Sequence, residues 1–159
     1  SFPTRRSSDL ECMNNNLFND IEEFIRNLDI NLAELERTGA TFISIGYAFF
    51  AYAANVDIHD LLTNNNTDVA SARITLHGQQ LVLLGYIFLW VVATKRVYSR
   101  NLRNTHMEET INVSPYVKLS NSYLLSTFAN ALRLEAFTEI ANSEESGEGN
   151  EEGNEEVIE

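Results

Sequence analysis

The pattern of apolar and polar positions predicts four helices and an acidic tail, taken from the N-terminus. In the first helix the apolar residues are spaced alternately three and four apart, which keeps them on one face. They are Phe18, Ile21, Ile25, Leu28, Leu32 and Leu35. Asn16 or Asn19 can cap this helix, and the acidic residues of its first turns suit the positive end of the helix dipole.

Three interpretations of this N-terminal stripe remain open. The simplest is that it packs on another helix of the same chain. It spans under three heptads, so a coiled-coil seam is the weaker interpretation. A helix lying on the membrane surface is the third, but the polar face here is acidic, whereas such helices are typically rich in Lys and Arg.

Arg37-Thr38-Gly39 breaks the stripe, and a charge-free stretch follows. This stretch, Gly39–Val56, offers 17 or 18 residues for a span, at the short end of what a bilayer needs. It is apolar all round, and Ala40, Ser44 and Ala48 form a series of small residues suited to close helix packing in lipid. The alternative is a buried helix of a soluble bundle. The pattern favours a first membrane span.

A second and more strongly apolar stretch, Leu81–Thr94, carries no charge and is followed by a basic collar. The collar consists of Lys95, Arg96, Arg100 and Arg103. Helix-compatible sequence runs from about Val69 to Arg103, on the order of 50 Å, which is longer than a bilayer core. We therefore predict a second span with a projecting basic end. Gly78 and Gly85 share one face of it and can meet the small residues of the first span.

The basic residues near the two spans predict the topology. Arg26 and Arg37 precede the first span, Arg73 lies between the spans, and the four bases of the collar follow the second. Because cytoplasmic flanks carry the excess of Lys and Arg, six bases against one predict that both termini are cytoplasmic. The Asn-rich loop between the spans then lies outside.

Ser114-Pro115 is typical of a helix start, with Ser at the cap and Pro in the first turn. The helix that follows has a second apolar stripe, which consists of Leu125, Phe128, Ala129, Leu132, Ala136 and Ile140, widened by Leu124 and Phe137. On the predicted cytoplasmic side only the N-terminal stripe is present to cover it, so we expect the two stripes to pair. The alternative is that they bind partners or a second copy of the chain.

The acidic charge is concentrated at the C-terminal end. The chain has a net charge of −12, and Ser143–Glu159 contributes −8 of it through eight Glu and no base. This low-complexity segment has too little apolar surface to order itself, so we predict a disordered, solubilising tail. Contact with a basic partner is the alternative role. The acidity argues against a nucleic-acid-binding body, which needs a basic face.

The first ten residues, SFPTRRSSDL, match an in-frame translation of a common short-read sequencing adapter. We therefore expect them not to be native, with the start of the gene at Met13 or upstream of Glu11. Cys12 is the only cysteine, so the sequence contains no disulfide framework and no Cys-based metal site.

The sequence holds no phosphate-binding loop, nucleophile elbow, zinc-protease motif or Cys-x-x-Cys pair. Asp57, His59, Asp60 and His77 have ligand chemistry, but their spacing matches no known metal frame. We predict no catalytic, cofactor-binding or metal site.

The predicted fold is all-α: a two-span transmembrane hairpin flanked by amphipathic cytoplasmic helices, with a disordered tail. The predicted segments are an uncertain start (1–12), an amphipathic helix (13–38), the first span (39–58), an outside loop (59–77), the second span (78–103), a linker with an amphipathic helix (104–142) and the tail (143–159). The Asn- and Ile-rich composition suggests an AT-rich bacterial genome.

The predicted function is that of a non-enzymatic structural or interaction protein of the adaptor type in the cell membrane. Its partners are the lipid bilayer and a protein partner, or a second copy, bound through the two stripes. A holin-like pore former is the first alternative, although holin tails are usually basic. A soluble helical binding module is the second.

Overall fold

The computed structural model shows three long helices. The structure describes the backbone of residues 5–63, 68–107 and 109–151. It describes the side chains of residues 18–63, 69–107 and 109–146. The helices are α1, Arg5–Thr63, α2, Asp68–His106, and α3, Ser114–Glu151. The all-α prediction is confirmed, since the described residues form helices and no strand. Residues 1–4 of the suspected adapter sequence lie outside the described part, and its origin stays a prediction.

Helix α1 runs without a break through the segment where the sequence predicts one. The break in the apolar stripe at Arg37-Thr38-Gly39 is therefore not a helix end, and α1 covers both of the segments predicted at 13–38 and 39–58. Thr38 Oγ1 donates to the carbonyl of Glu34 at 2.9 Å, and Thr41 Oγ1 donates to the carbonyl of Arg37 at 2.8 Å, so both hydroxyls bond within the helix. Gly39 is buried against α2 rather than placed at a helix end. The predicted amphipathic helix and first span are one element.

Helix α2 is central and packs along both α1 and α3. On the α1 side, Gly39 meets Gly85 and Gly46 meets Gly78. Residue numbers rise along one helix as they fall along the other, so α1 and α2 are antiparallel. In both pairs the two residue numbers add to 124. A residue of α1 therefore lies opposite the residue of α2 whose number is 124 minus its own, which defines the register of the hairpin.

Helix α3 returns along the other side of α2. Thr94 of α2 is hydrogen-bonded to Ser120, and Gln79 is hydrogen-bonded to Asn130. These pairs show that α3 is antiparallel to α2 and lies beside its charge-free part. The main contact of α3 is thus with α2, and its position differs from the predicted cytoplasmic module beside the start of α1.

The start of α3 lies where the sequence predicts it, but a different side chain caps it. The carbonyl of Val113 accepts from the backbone N–H of Val117 at 3.2 Å, which makes Val113 the capping position. The Asn112 Oδ1 accepts from the backbone N–H of Ser114 at 3.1 Å. At the start of α3 it is therefore the side chain of Asn112, and not that of Ser114, that accepts a hydrogen bond from a free backbone N–H.

The predicted disordered tail is helical in its first part. Helix α3 continues to Glu151, and Ala141, 3% exposed, is buried just before the acidic segment. Arg73 of α2 forms an ion pair with Glu145, which ties this part of α3 to α2. The rest of the predicted tail, residues 152–159, lies outside the described residues.

Candidate functional site

The interface between α1 and α2 is built on four glycines in close backbone contact. A Cβ added to Gly46 would lie 2.6 Å from the carbonyl oxygen of Gly78, and one added to Gly85 would lie 2.6 Å from the carbonyl oxygen of Gly39. The reciprocal positions are nearly as tight, at 2.8 Å for Gly78 and 3.0 Å for Gly39. Non-bonded carbon and oxygen atoms do not approach as closely as 2.6–2.8 Å, so the crossing requires glycine at Gly46, Gly78 and Gly85, and the fit at Gly39 is tight.

Burial follows the same seven-residue spacing along both helices. The buried residues of the described part of α1 are Ile25, Leu32, Gly39, Gly46, Ala53 and Asp60, and α2 has Ser71, Gly78, Gly85, Val92 and Ser99 at matching steps. A strict repeat of seven keeps two helices in contact when they coil gently around each other. Glycine, alanine and serine dominate this seam, so the backbones approach closely and few large side chains are buried.

The small-residue face predicted for the first span is on the wrong side of α1. Ala40, Ser44 and Ala48 are exposed, whereas Gly39 and Gly46 face α2. The sequence did contain the signal, because the two glycines of α1 have the same seven-residue spacing as the two of α2. The packing face of α1 was not predicted, because a glycine directly after Arg37-Thr38 also fits a break between two helices.

Polar side chains lie at the centre of the α2–α3 interface. Gln79 is fully buried, and its Nε2 donates to the backbone carbonyl and to Oδ1 of Asn130, at 2.9 and 3.1 Å. Asn130, 3% exposed, donates in turn from Nδ2 to the carbonyl of Ser126 at 2.8 Å. Nearer the collar, the hydroxyls of Thr94 and Ser120 are 2.8 Å apart. In apolar surroundings such bonds hold helices together, since each group costs free energy when left unpaired.

This polar interface is not apparent from the sequence. An unpaired amide is costly in the middle of a bilayer, so the sequence alone favours a position for Gln79 at its edge. The structure provides a partner, Asn130, from a helix that was expected elsewhere. No periodicity in the sequence links positions 79 and 130.

Many of the large apolar side chains point away from both interfaces. The exposed ones among the described residues are Phe18, Phe24, Ile30, Ile45, Tyr47, Phe49, Tyr52, Ile58, Leu61, Leu62, Leu84, Val91, Tyr98, Val117, Leu119, Leu125, Phe128, Leu132 and Ile140. In the most apolar windows of α1 and α2, only 17% and 28% of the residues are buried. Both helices are long and apolar enough to cross a membrane, and the described part of the chain leaves their apolar surfaces uncovered.

The N-terminal stripe packs within the chain, but on α2. Ile25 and Leu32 are buried at 0% and 5% exposure. Ile21, Leu28 and Leu35 are half-buried, and Phe18 is 44% exposed. This stripe therefore forms the collar end of the α1–α2 seam.

The stripe on α3 is not covered by the N-terminal stripe, and the predicted pairing is wrong. Leu125, Phe128 and Leu132 are 70%, 63% and 67% exposed. The reason is the path of α3, which lies along α2 with Asn130 inward and these three side chains outward. Phe137, at the margin of the stripe, is half-buried and contacts the ring of Phe50 with 6.0 Å between centroids.

Asp29 of α1 organises one part of the basic collar. Its Oδ1 accepts from the hydroxyl of Ser99 at 2.8 Å, and its Oδ2 accepts from Nη2 of Arg103 at 3.1 Å. Nη1 of Arg100 lies 3.6 Å from the same Oδ2. The carboxylate and both guanidinium groups are about three-quarters buried, so the contact also closes this end of the α1–α2 seam.

The remaining collar contacts also involve acidic residues. Arg96 pairs with Glu36 of α1, and Arg103 is 3.6 Å from Glu109 in the α2–α3 linker. Lys95 is exposed and forms no ion pair within the described residues. The collar is thus a largely compensated cluster rather than a free basic patch.

The polar residues near the α1–α2 connection show no metal-site geometry. Nδ1 of His59 lies 3.4 Å from Oδ1 of Asp60, and Nδ1 of His77 lies 3.3 Å from Oε1 of Gln80. Within the described residues, no three His, Cys, Asp or Glu side chains are grouped to hold a metal ion.

Comparison of the chain with protein-family models, with curated proteins and with solved structures finds no match. Function therefore has to be inferred from the helix surfaces and their interfaces.

Proposed function

We propose that this chain is a small integral membrane protein in which α1 and α2 form a hairpin embedded in the bilayer. The observation that carries the proposal is the inverted distribution of side chains. Glycine and polar groups such as Gln79 are buried between helices, while large apolar groups such as Ile45 and Ile58 face outward. Helices in lipid associate through small residues and hydrogen bonds, because lipid already solvates their apolar faces.

A soluble module of this sequence has a weaker physical basis. The described core contains few large side chains: Ile25, Leu32, Val82, Leu89 and Val92. A soluble monomer rarely exposes contiguous apolar patches above a few hundred Å², whereas here apolar side chains are exposed along all three helices. Acyl chains are the solvent that such a surface fits.

The collar end of the hairpin is proposed to lie at the cytoplasmic face. The four basic residues of the collar are on α2 at this end of the hairpin, and Arg26 of α1 lies near the same end. The acidic partners Asp29, Glu36 and Glu109 reduce the net charge, but acidic residues have little weight in setting orientation.

The role proposed for the protein is structural or interaction-based, of the adaptor type. Support comes from the start of α1, which lies beside the collar and presents Phe18, Phe24 and Ile30 at 44%, 55% and 52% exposure. By the register of the hairpin, Phe18 is level with the last residue of α2, so this apolar surface lies at the cytoplasmic end. It is a surface for a protein partner of the hairpin.

Extraction of membranes with alkaline carbonate tests the proposed embedding. We expect the wild-type protein to stay in the membrane pellet. Leu84→Lys puts a charge near the middle of the α2 span, at a cost of about 2.5–3.5 kcal/mol for insertion, so this variant should shift substantially to the soluble or degraded fraction.

Leu61→Lys is the matched control, since Leu61 lies near the end of α1 and is 80% exposed, against 37% for Leu84. We expect it to fractionate like the wild type. In a soluble bundle the wild-type protein and both lysine variants would be released from the pellet by carbonate. Release of the wild-type protein by carbonate, or equal behaviour of the two lysine variants, would contradict membrane embedding.

A further inference from the structure

Helix α3 buries the polar side chain of Asn130 and exposes several of its large apolar side chains. Asn130, 3% exposed, faces α2, whereas Leu125, Phe128 and Leu132 are 63–70% exposed on the outer side. An amphipathic helix on a protein in water turns the other way, with its apolar stripe inward. The orientation of α3 indicates that its outer face meets an apolar solvent.

The contacts of α3 place it at the same depth as the apolar part of α2. At the collar end, the guanidinium of Arg100 lies over the ring of Tyr116, 5.4 Å from its centroid. At the other end, Arg73 pairs with Glu145. The hydrogen bonds of Thr94 and Gln79 to α3 lie between these two contacts. Helix α3 thus follows α2 from the collar to the far end of its charge-free stretch.

The charges of α3 bound a segment that fits this depth. Between Lys118 and Arg133 there are 14 residues, 119–132, with no Asp, Glu, Lys or Arg. They extend about 20 Å as a helix. The long side chains of Lys118 and Arg133 can reach the two interfaces and extend the segment, as basic residues at the ends of short spans do.

We infer that α3 is a third membrane span, with Leu125, Phe128 and Leu132 in contact with lipid acyl chains. Its C-terminal end then lies on the side opposite the collar, together with the α1–α2 connection. This replaces the sequence-based expectation that both termini are cytoplasmic. The inference rests on the proposed embedding of the hairpin. The buried Gln79–Asn130 pair supports it, because it satisfies the polar side chain of Asn130, which the span would otherwise carry into the bilayer unpaired.

Cysteine accessibility in intact cells tests the inference. The background is the full chain with Cys12→Ser, and each variant adds one cysteine at an exposed position: Thr63→Cys, Asn101→Cys or Ser143→Cys. A membrane-impermeant maleimide is applied to intact and to permeabilised cells. Thr63 reports the end of the hairpin away from the collar, Asn101 reports the collar end, and Ser143 reports the end of α3.

We expect Thr63→Cys and Ser143→Cys to react in intact cells, and Asn101→Cys to react only after permeabilisation. If Ser143→Cys instead behaves like Asn101→Cys, α3 does not cross and the inference fails while the hairpin stands. If Thr63→Cys and Asn101→Cys react alike, or the protein fractionates as soluble, the proposed embedding fails and the third span fails with it.

Discussion

Glycine at four positions sets the distance between α1 and α2. At Gly46 an added Cβ would meet the carbonyl oxygen of Gly78 and Cγ2 of Val82, each at 2.6 Å. A backbone carbonyl cannot rotate away as the end of a flexible side chain can. A larger residue at this position therefore has to push the two helices apart along the seam.

Gly46→Ile should destabilise the hairpin by about 1–3 kcal/mol, the usual cost of overpacking a close contact. Ala48→Ile is the control, because Ala48 is exposed on the same helix two residues away and isoleucine there adds the same side chain. The measurement is the midpoint of unfolding in mixed micelles, followed by circular dichroism as the fraction of denaturing detergent increases. Equal midpoints for the two variants would show that the glycine contact does not hold the hairpin.

At the residue scale, the sequence predicted that Gly78 and Gly85 share a packing face, but it placed the wrong partners opposite them. A glycine can end a helix or allow a close approach, and local sequence does not distinguish the two roles. Asp29 is a similar case: its bonds to Ser99 and Arg103 depend on the register of two helices about 70 residues apart in the chain.

At the scale of elements, apolar periodicity and composition located the helical regions but not their partners. The stripe on α3 was correctly assigned to a helix, yet it was expected to be covered by the N-terminal stripe. Periodicity shows which residues share a face, and it does not show whether water, protein or lipid lies against that face. The burial of Asn130 on the inner side of α3 is what distinguishes these cases.

The hydrogen bonds between Gln79 and Asn130 should hold α3 against α2. Gln79→Leu and Asn130→Leu are each expected to destabilise the bundle, since each leaves polar groups unpaired, and the double variant should lose less than the sum of the two. We expect a coupling of about 0.5–2 kcal/mol from the double-mutant cycle, measured by the same detergent unfolding assay.

Gln80→Leu is the control for this cycle, because Gln80 is the exposed neighbour and lacks a bond to α3 among the described contacts. It should not couple to Asn130→Leu. Additive effects of Gln79→Leu and Asn130→Leu would contradict the α2–α3 interface described above.

At the scale of the whole molecule, the charge-free stretches of α1 and α2 are offset. They cover residues 38–56 and 74–94, and the register of the hairpin places 38–50 beside 74–86. The overlap is about 20 Å long, less than the roughly 30 Å of a typical bilayer core. Glu34 and Arg37 then lie within the depth of α2, where long side chains and local thinning of the bilayer accommodate them.

The sequence predicted the two membrane-competent helices from their length and composition, and the structure bears this out. The path of α3 could not be predicted in the same way. Its charge-free segment is too short for a span by the usual length criterion, and the contact between Asn130 and Gln79 that supports the proposed third span is visible only in the structure.

Fluorescence quenching of Trp90 tests the central claim, that the hairpin is solvated by lipid, most directly. Trp90 is the only tryptophan, and it lines an outward-facing groove with Val91, Thr94 and Lys95. It lies about 7–8 Å from the first collar residue, Lys95, along the helix. In vesicles, we expect phospholipids brominated on the upper acyl chain to quench its emission strongly and aqueous iodide to have little effect. Efficient quenching by iodide together with no effect of the brominated lipids would contradict the membrane-embedded hairpin.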